Sequence, residues 1–201
     1  MVNQSMIGRL PRGVEGWVQE ELVRQAQRGD AEAFDSLART VGDRCLAIAV
    51  RILRDVDLAE DAVQAALITA WTELRALRDP SRFEPWVHRI LTNACYAEAR
   101  RRTRWYEGPR ILPVEGAYGP DEYLTVDDRD LLERAFRRLT VQQRAVLVFH
   151  HYLGHSISEV ADRIGIPVGT AKSRLHHATR ALRASIDADA RATPPSQERM
   201  A

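Results

Sequence analysis

A chain of 201 residues, 45% of them hydrophobic, has material for one or two small domains, each with its own core. A formal net charge of +1 excludes a uniformly basic coat, and without an apolar run of bilayer length or a charged-then-apolar leader the chain is expected to be cytoplasmic, with no direct membrane insertion. Its two cysteines, Cys45 and Cys95, lie far apart among apolar residues, the pattern of reduced core thiols and not of a disulfide framework.

In chain order, residues 1–16 carry Gly8, Pro11, Gly13 and Gly16 with little apolar pattern and read as a disordered start. Helical spacing begins at Trp17. Leu22, Val23 and Ala26 share a face, and Gly29-Asp30 ends that helix and caps the next. The second helix continues through Phe34, Leu37, Val41, Cys45, Ile48 and Ile52. Asp57 to Glu60 has the spacing of a capping box and predicts a third helix holding Ala62, Ala66, Ala70, Trp71 and Leu74. After a break at residues 78–82, Phe83 to Arg102 predicts a fourth, with Pro85 tolerated in its first turn. Residues 105–126 are punctuated by glycine and proline too often for a helix and read as a linker. A helix resumes from Asp127 to Leu139. Thr140 to Gln143 and Ser156 to Glu159 are two more capping boxes, and Gly154 stops the helix between them. The tail beyond Ile186 reads as disordered.

No segment alternates like a strand over a useful length. The fold class is therefore all-α: two helical domains joined by a flexible acidic linker, the second a four-helix module with a helix-turn-helix. The boundaries are 1–16 for the disordered start, 17–104 for the first domain, 105–126 for the linker, 127–186 for the second domain and 187–201 for the tail. Charge follows this division. From Thr140 to Arg183 six Arg or Lys stand against two acids, whereas from Trp105 to Arg129 six acids stand against two arginines. A basic module behind an acidic tether suits a DNA-touching part of a larger machine.

The segment from His155 to Arg180 reads as two short helices around a tight turn. With Ala171 facing the core at 3.6 residues per turn, Leu175 and Ala178 fall on the same side and Val168 near them. Lys172, Ser173, His176 and His177 then share the opposite side. An aliphatic anchor stripe behind a polar patch is what a helix-turn-helix reader needs to enter a major groove.

Three motifs carry a resemblance. Residues 165–175 read GIPVGTAKSRL, residues 59–64 read AEDAVQ with Trp71 beyond, and Phe83, Trp86, Arg89, Ile90 and Asn93 are spaced along one helix ahead of Arg100, Arg101 and Arg102. In these the chain resembles bacterial sigma factors of the sigma-70 superfamily, in the small two-domain group called extracytoplasmic-function sigma factors. The likeness extends from about Leu22 to Ile186. It implies that Lys172, Ser173, His176 and His177 face bases of an upstream promoter element, with Thr170, Arg174 and Arg180 placed for phosphates, which set affinity more than sequence choice. It implies that Asp61, Gln64 and Trp71 dock on the clamp coiled coil of core RNA polymerase, although Ala65 and Leu67 replace a common Glu and a common Phe. Asp61 and Gln64 are neighbours on one helix face, which equally fits a plain solvated surface. It implies that Arg82, Phe83, Trp86, Arg89, Asn93, Arg100 and Arg101 hold a melted promoter strand, since aromatics stack on unpaired bases and arginines follow phosphates. Core packing is the competing reading for Phe83 and Trp86.

The expected partners are core RNA polymerase, promoter DNA and an anti-sigma factor. No cofactor is expected. No metal is expected either, since His150, His151 and His155 lack a nearby cysteine and zinc spacing. There is no phosphate loop and no nucleophile elbow, so the chain is not expected to be an enzyme. The resulting expectation is a promoter-specificity subunit that reads the minus-thirty-five element and melts the minus-ten element. The alternative is an autonomous helix-turn-helix regulator.

Overall fold

A computed structural model describes residues 12–105 and 126–192; residues 1–11, 106–125 and 193–201 lie outside it. The described residues form eight α-helices and no strand. They are α1 Arg12–Gln27, α2 Ala31–Leu53, α3 Val56–Glu73, α4 Phe83–Trp105, α5 Val126–Arg137, α6 Val141–Leu147, α7 Ile157–Ile164 and α8 Val168–Ala192. Single 3₁₀ turns at Leu74–Ala76 and Pro80–Arg82 lead into α4, and a π turn at Val148–Tyr152 follows α6.

The caps explain most boundaries. Asp30 accepts hydrogen bonds from the backbone of Glu32 and Ala33 and starts α2. The boxes at Thr140 and Ser156 are both closed, each cap hydroxyl accepting from the third residue's backbone while that residue's side chain reaches back. The third helix differs from the sequence reading. Its cap is Asp55, whose carboxylate accepts from Leu58, and Asp57 lies inside the first turn. Two ends also differ: α1 begins at Arg12, within the stretch read as a disordered start, and α8 runs to Ala192, past Ile186. The remainder of the start, the remainder of the tail and most of the linker fall outside the described residues.

Apolar faces at helical spacing drive the packing. Val23, Leu37, Ile48, Ile52, Leu74, Val87 and Leu91 are almost fully buried among α1 to α4. Gln27 ties α1 to the turn before α4 by donating to the carbonyls of Leu74 at 3.0 Å and Leu77 at 2.7 Å. The second half packs α6 and α5 across α8, around Ala145, Val146, Phe149, Val160, Ile164, Ala171 and Ala178. The two halves do not stand apart: α4 lies on α6 and α7, α2 on α6, and one continuous core joins them.

Candidate nucleic-acid interface

The turn between α7 and α8 is closed by Gly165. It sits in the left-handed region at φ 77° and donates to the carbonyls of Ala161 at 2.9 Å and Asp162 at 3.2 Å. This turn fixes the orientation of α8, which buries Ala171 and Ala178 fully and Leu175 in part. Lys172, Ser173, His176 and His177 are all exposed on the other side. Val168 departs from the sequence reading, standing 42% exposed at the start of the helix and not in the anchor stripe. The His176 and His177 rings are 5.7 Å apart, and the Ser173 hydroxyl donates to the Thr170 carbonyl at 3.0 Å. Thr170 and Arg180 are exposed. Arg174 is half-buried, its guanidinium facing the Tyr96 phenol of α4.

On α4 the expected aromatic pair divides. Phe83 is 1% exposed, a core residue, which corrects its assignment to a strand-contacting surface. The helix enters from the Pro80–Arg82 turn in a register that points Phe83 inward and leaves Trp86 half-buried at the rim, with ring centroids 6.2 Å apart. Trp86 lines a cleft of about 240 Å³ that also carries Arg78, Arg82, Arg89 and Asp162. Arg78 belongs to this cluster although the sequence places it only in a break, where no periodicity marks a facing. Asn93 and Arg100 are exposed farther along α4. Arg101 is exposed and pairs with Asp61 at 3.0 Å and Glu98 at 2.7 Å.

On α3, Asp61 and Gln64 are exposed one turn apart, as their spacing requires. Trp71 is 39% exposed and rests on Phe34, with ring centroids 4.9 Å apart. Phe34, Leu67, Ile68 and Trp71 line a shallow apolar groove in which Ile68 is 58% exposed. Sequence alone gives Ile68 and Phe34 no surface role, because helical spacing does not tell an apolar rim residue from a core one.

Titratable groups inside the structure are tuned by burial. His88 of α4 is held down to about 3, first by desolvation and then by the Arg163 and Arg44 charges. Its Nδ1 faces Arg163 Nη1 at 3.2 Å, so the neutral ring accepts the guanidinium proton there. Burial pushes the Cys45 and Cys95 thiols up to about 12. Among the described residues, no group of three or more His, Cys, Asp or Glu side chains is placed to hold a metal ion.

Two family descriptions match the chain: "Sigma-70 region 2" over residues 37–105 and "Sigma-70, region 4" over residues 129–182. The extracytoplasmic-function (ECF) RNA polymerase sigma factor SigL of Mycobacterium tuberculosis is 34% identical over 166 residues, covering 79% of this chain and 93% of that protein. The ECF RNA polymerase sigma factor SigW of Bacillus subtilis is 26% identical, covering 82% and 94%. Among solved structures, the sigma factor RpoE of Bartonella quintana, in complex with the anti-sigma factor NepR, aligns with a TM-score of 0.62 at 28% identity, covering 79% of this chain and 99% of that one.

Proposed function

Since the chain belongs to the extracytoplasmic-function group of sigma-70 RNA polymerase sigma factors and so serves promoter recognition by that enzyme, we propose that its two DNA-facing surfaces divide the promoter between them. The second domain, residues 127–186, reads the minus-thirty-five element as duplex. The first, residues 17–104, docks on polymerase and holds the melted minus-ten element, and residues 105–126 set the spacing. The observation that carries this reading is the α8 face: four polar side chains exposed together, backed by the buried Ala171 and Ala178.

The chemistry follows from the groups. The Lys172 ammonium donates to guanine O6 or N7 in the major groove, a contact worth about 1–3 kcal/mol of base discrimination. Ser173 and the two imidazoles add donors or acceptors at neighbouring base edges. Thr170 and Arg180 grip phosphates and set the register. On α4, Trp86 supplies a π face for one unpaired base, and Arg78, Arg82 and Arg89 surround the same cleft with positive charge for the strand's phosphates. Asn93, Arg100 and Arg101 extend that track along the helix. Asp61, Gln64 and the apolar groove beside Trp71 form the surface for a polymerase helix, the carboxylate receiving arginines and the groove an aliphatic side chain.

The chain makes and breaks no covalent bond in this scheme; polymerase synthesises the RNA, in the cytoplasm. An anti-sigma factor is the natural regulator, since RpoE of Bartonella quintana is bound by one. The test mixes the purified chain with sigma-free core polymerase and a randomised promoter library. The expected result is discrete transcripts sharing an upstream and a downstream motif. Tight duplex binding by the chain alone, with no transcripts from the mixture, would establish the autonomous regulator instead.

A further inference from the structure

Of the 29 lysines and arginines in the chain, only Lys172 is a lysine. It stands exposed on the base-facing side of α8, next to the fully buried Ala171. Recognition alone does not explain the choice. A guanidinium offers guanine O6 and N7 a rigid fork of donors, which an ammonium on a flexible stem does not. Arginine serves every other basic position, Arg180 on the same helix included. What lysine alone adds is reactivity: its amine becomes a nucleophile on losing a proton, whereas a guanidinium stays protonated.

The surroundings leave that amine available. Exposed arginines such as Arg24, Arg39 and Arg101 are each tied to an acid, whereas no carboxylate of the described residues pairs with Lys172. His176 follows four residues on, one turn along the same face, and is exposed, with its ring edge-on to that of His177. Imidazole is the side chain suited to take up a proton near neutral pH.

We propose that Lys172 is an acylation site, through which an activated acyl donor, an acyl phosphate or an acyl thioester, turns promoter reading down. The proposal rests on the reading of α8 as the minus-thirty-five face. The Nζ lone pair attacks the donor's carbonyl carbon. A C–N bond forms as the bond from that carbon to the phosphate oxygen or thiol sulfur breaks, and the leaving group takes the electron pair. His176 accepts the proton that the nitrogen sheds and passes it to solvent. Nothing is oxidised or reduced; the products are an Nε-acyl amide and free phosphate or thiol.

Acylation removes the positive charge and leaves one N–H where there were three, with a new carbonyl acceptor beside it. Guanine O6 and N7 are both acceptors, so the single N–H cannot serve both and the carbonyl meets them with like polarity. The effect is confined to this face. Neither α3 nor α4 contains a lysine, so the surfaces proposed for polymerase docking and strand holding are inert to the same donor. An acylated chain therefore still occupies core polymerase but fails at the upstream element.

The experiment incubates the full chain separately with acetyl phosphate and with acetyl-coenzyme A and maps the products by peptide mass, which separates the α-amine from side chains. Expected is acetylation of one side chain, at Lys172; the donor that reacts faster identifies the source. His176→Gln should slow the reaction roughly threefold or more, and an unchanged rate would remove His176 from the step. The acetylated chain is then assembled with core polymerase on a promoter fragment recovered from the transcription library. It should hold that fragment roughly tenfold or more weakly than the unmodified holoenzyme, with the affinity for core polymerase unchanged. Lys172→Gln, with a neutral amide but no reaction, should lose promoter affinity in the same way, and Lys172→Arg should bind the promoter alike before and after incubation with donor. The proposal is overturned if Lys172 stays unmodified while an unstructured lysine peptide in the same tube is acetylated, or if the acetylated chain holds the promoter as the unmodified one does. Absence of specific transcripts from the unmodified holoenzyme would instead overturn the minus-thirty-five reading of α8, a separate outcome.

Discussion

Phe83 and Trp86 stand three residues apart on α4 and do different work. Phe83 fills the core at 1% exposure, whereas Trp86 offers its ring to a cleft lined with arginine. Phe83→Ala is expected to cost about 3–5 kcal/mol of stability, the usual cost of emptying a buried aromatic site. Trp86→Ala, at a half-buried position, should cost less stability than Phe83→Ala and reduce strand opening, read by permanganate reactivity of promoter thymines in the polymerase complex. Loss of one stacking surface, about 1–3 kcal/mol, corresponds to roughly 5- to 150-fold less open complex. Equal losses of stability in both variants would remove Trp86 from the strand-holding set. The cysteines give a second residue-scale expectation. With both thiols buried and raised to about 12, the native chain should react with a thiol-specific chromogenic disulfide only over hours, and at both sites at once in denaturant.

At the scale of helices, the sequence is a good guide wherever a local chemical signal sets the boundary. Asp30, Thr140 and Ser156 cap the helices they are expected to cap, because a cap is satisfied by its own next three residues. The start of α3 shows where local reasoning stops. The spacing points to Asp57, but the cap is Asp55, whose carboxylate Arg102 of α4 also reaches at 2.8 Å. Asp55→Ala is thus expected to lower stability by more than the about 1 kcal/mol of a lost cap, since it also removes a carboxylate partner of Arg102, while Asp57→Ala stays within about 0.5 kcal/mol. Thermal unfolding of the two variants decides between the caps. The π turn at Val148–Tyr152 is equally hidden from the sequence. Leu153 donates to the Val148 carbonyl at 3.0 Å, one residue beyond α-helical reach, and this extra residue turns Phe149 into the core while leaving Tyr152 outside over Arg51.

For the molecule as a whole, two domains are legible from the glycine and proline between them, but their junction is not. It is made by pairs such as Arg82 with Asp162 and His88 with Arg163, more than seventy residues apart, and no periodicity records which exposed charges will meet. His88 makes that junction sensitive to acid. The charged and titratable groups facing it are Arg163 of α7, Arg44 of α2, Glu84 one turn away on α4 with Oε1 at 4.0 Å, and His155 ahead of α7. Glu84 is itself engaged by Arg44 at 3.0 Å, and cations outnumber it around the ring. The folded chain therefore holds His88 neutral down to about 3, whereas an exposed histidine gains its proton near 6.5. Between those values the unfolded chain binds more protons, so stability is complete above pH 6.5 and falls as pH drops toward 3, by up to about 1.4 kcal/mol per unit. Lowering pH from 7 to 5 should remove about 2 kcal/mol, measured by urea unfolding at each pH. His88→Gln keeps an acceptor for Arg163 but has no proton to gain, and its stability should fall less steeply over the same range, leaving the smaller response of His151 and His155, which burial also holds below the usual histidine value. An unchanged slope in that variant would show that the acid response comes from elsewhere in the chain.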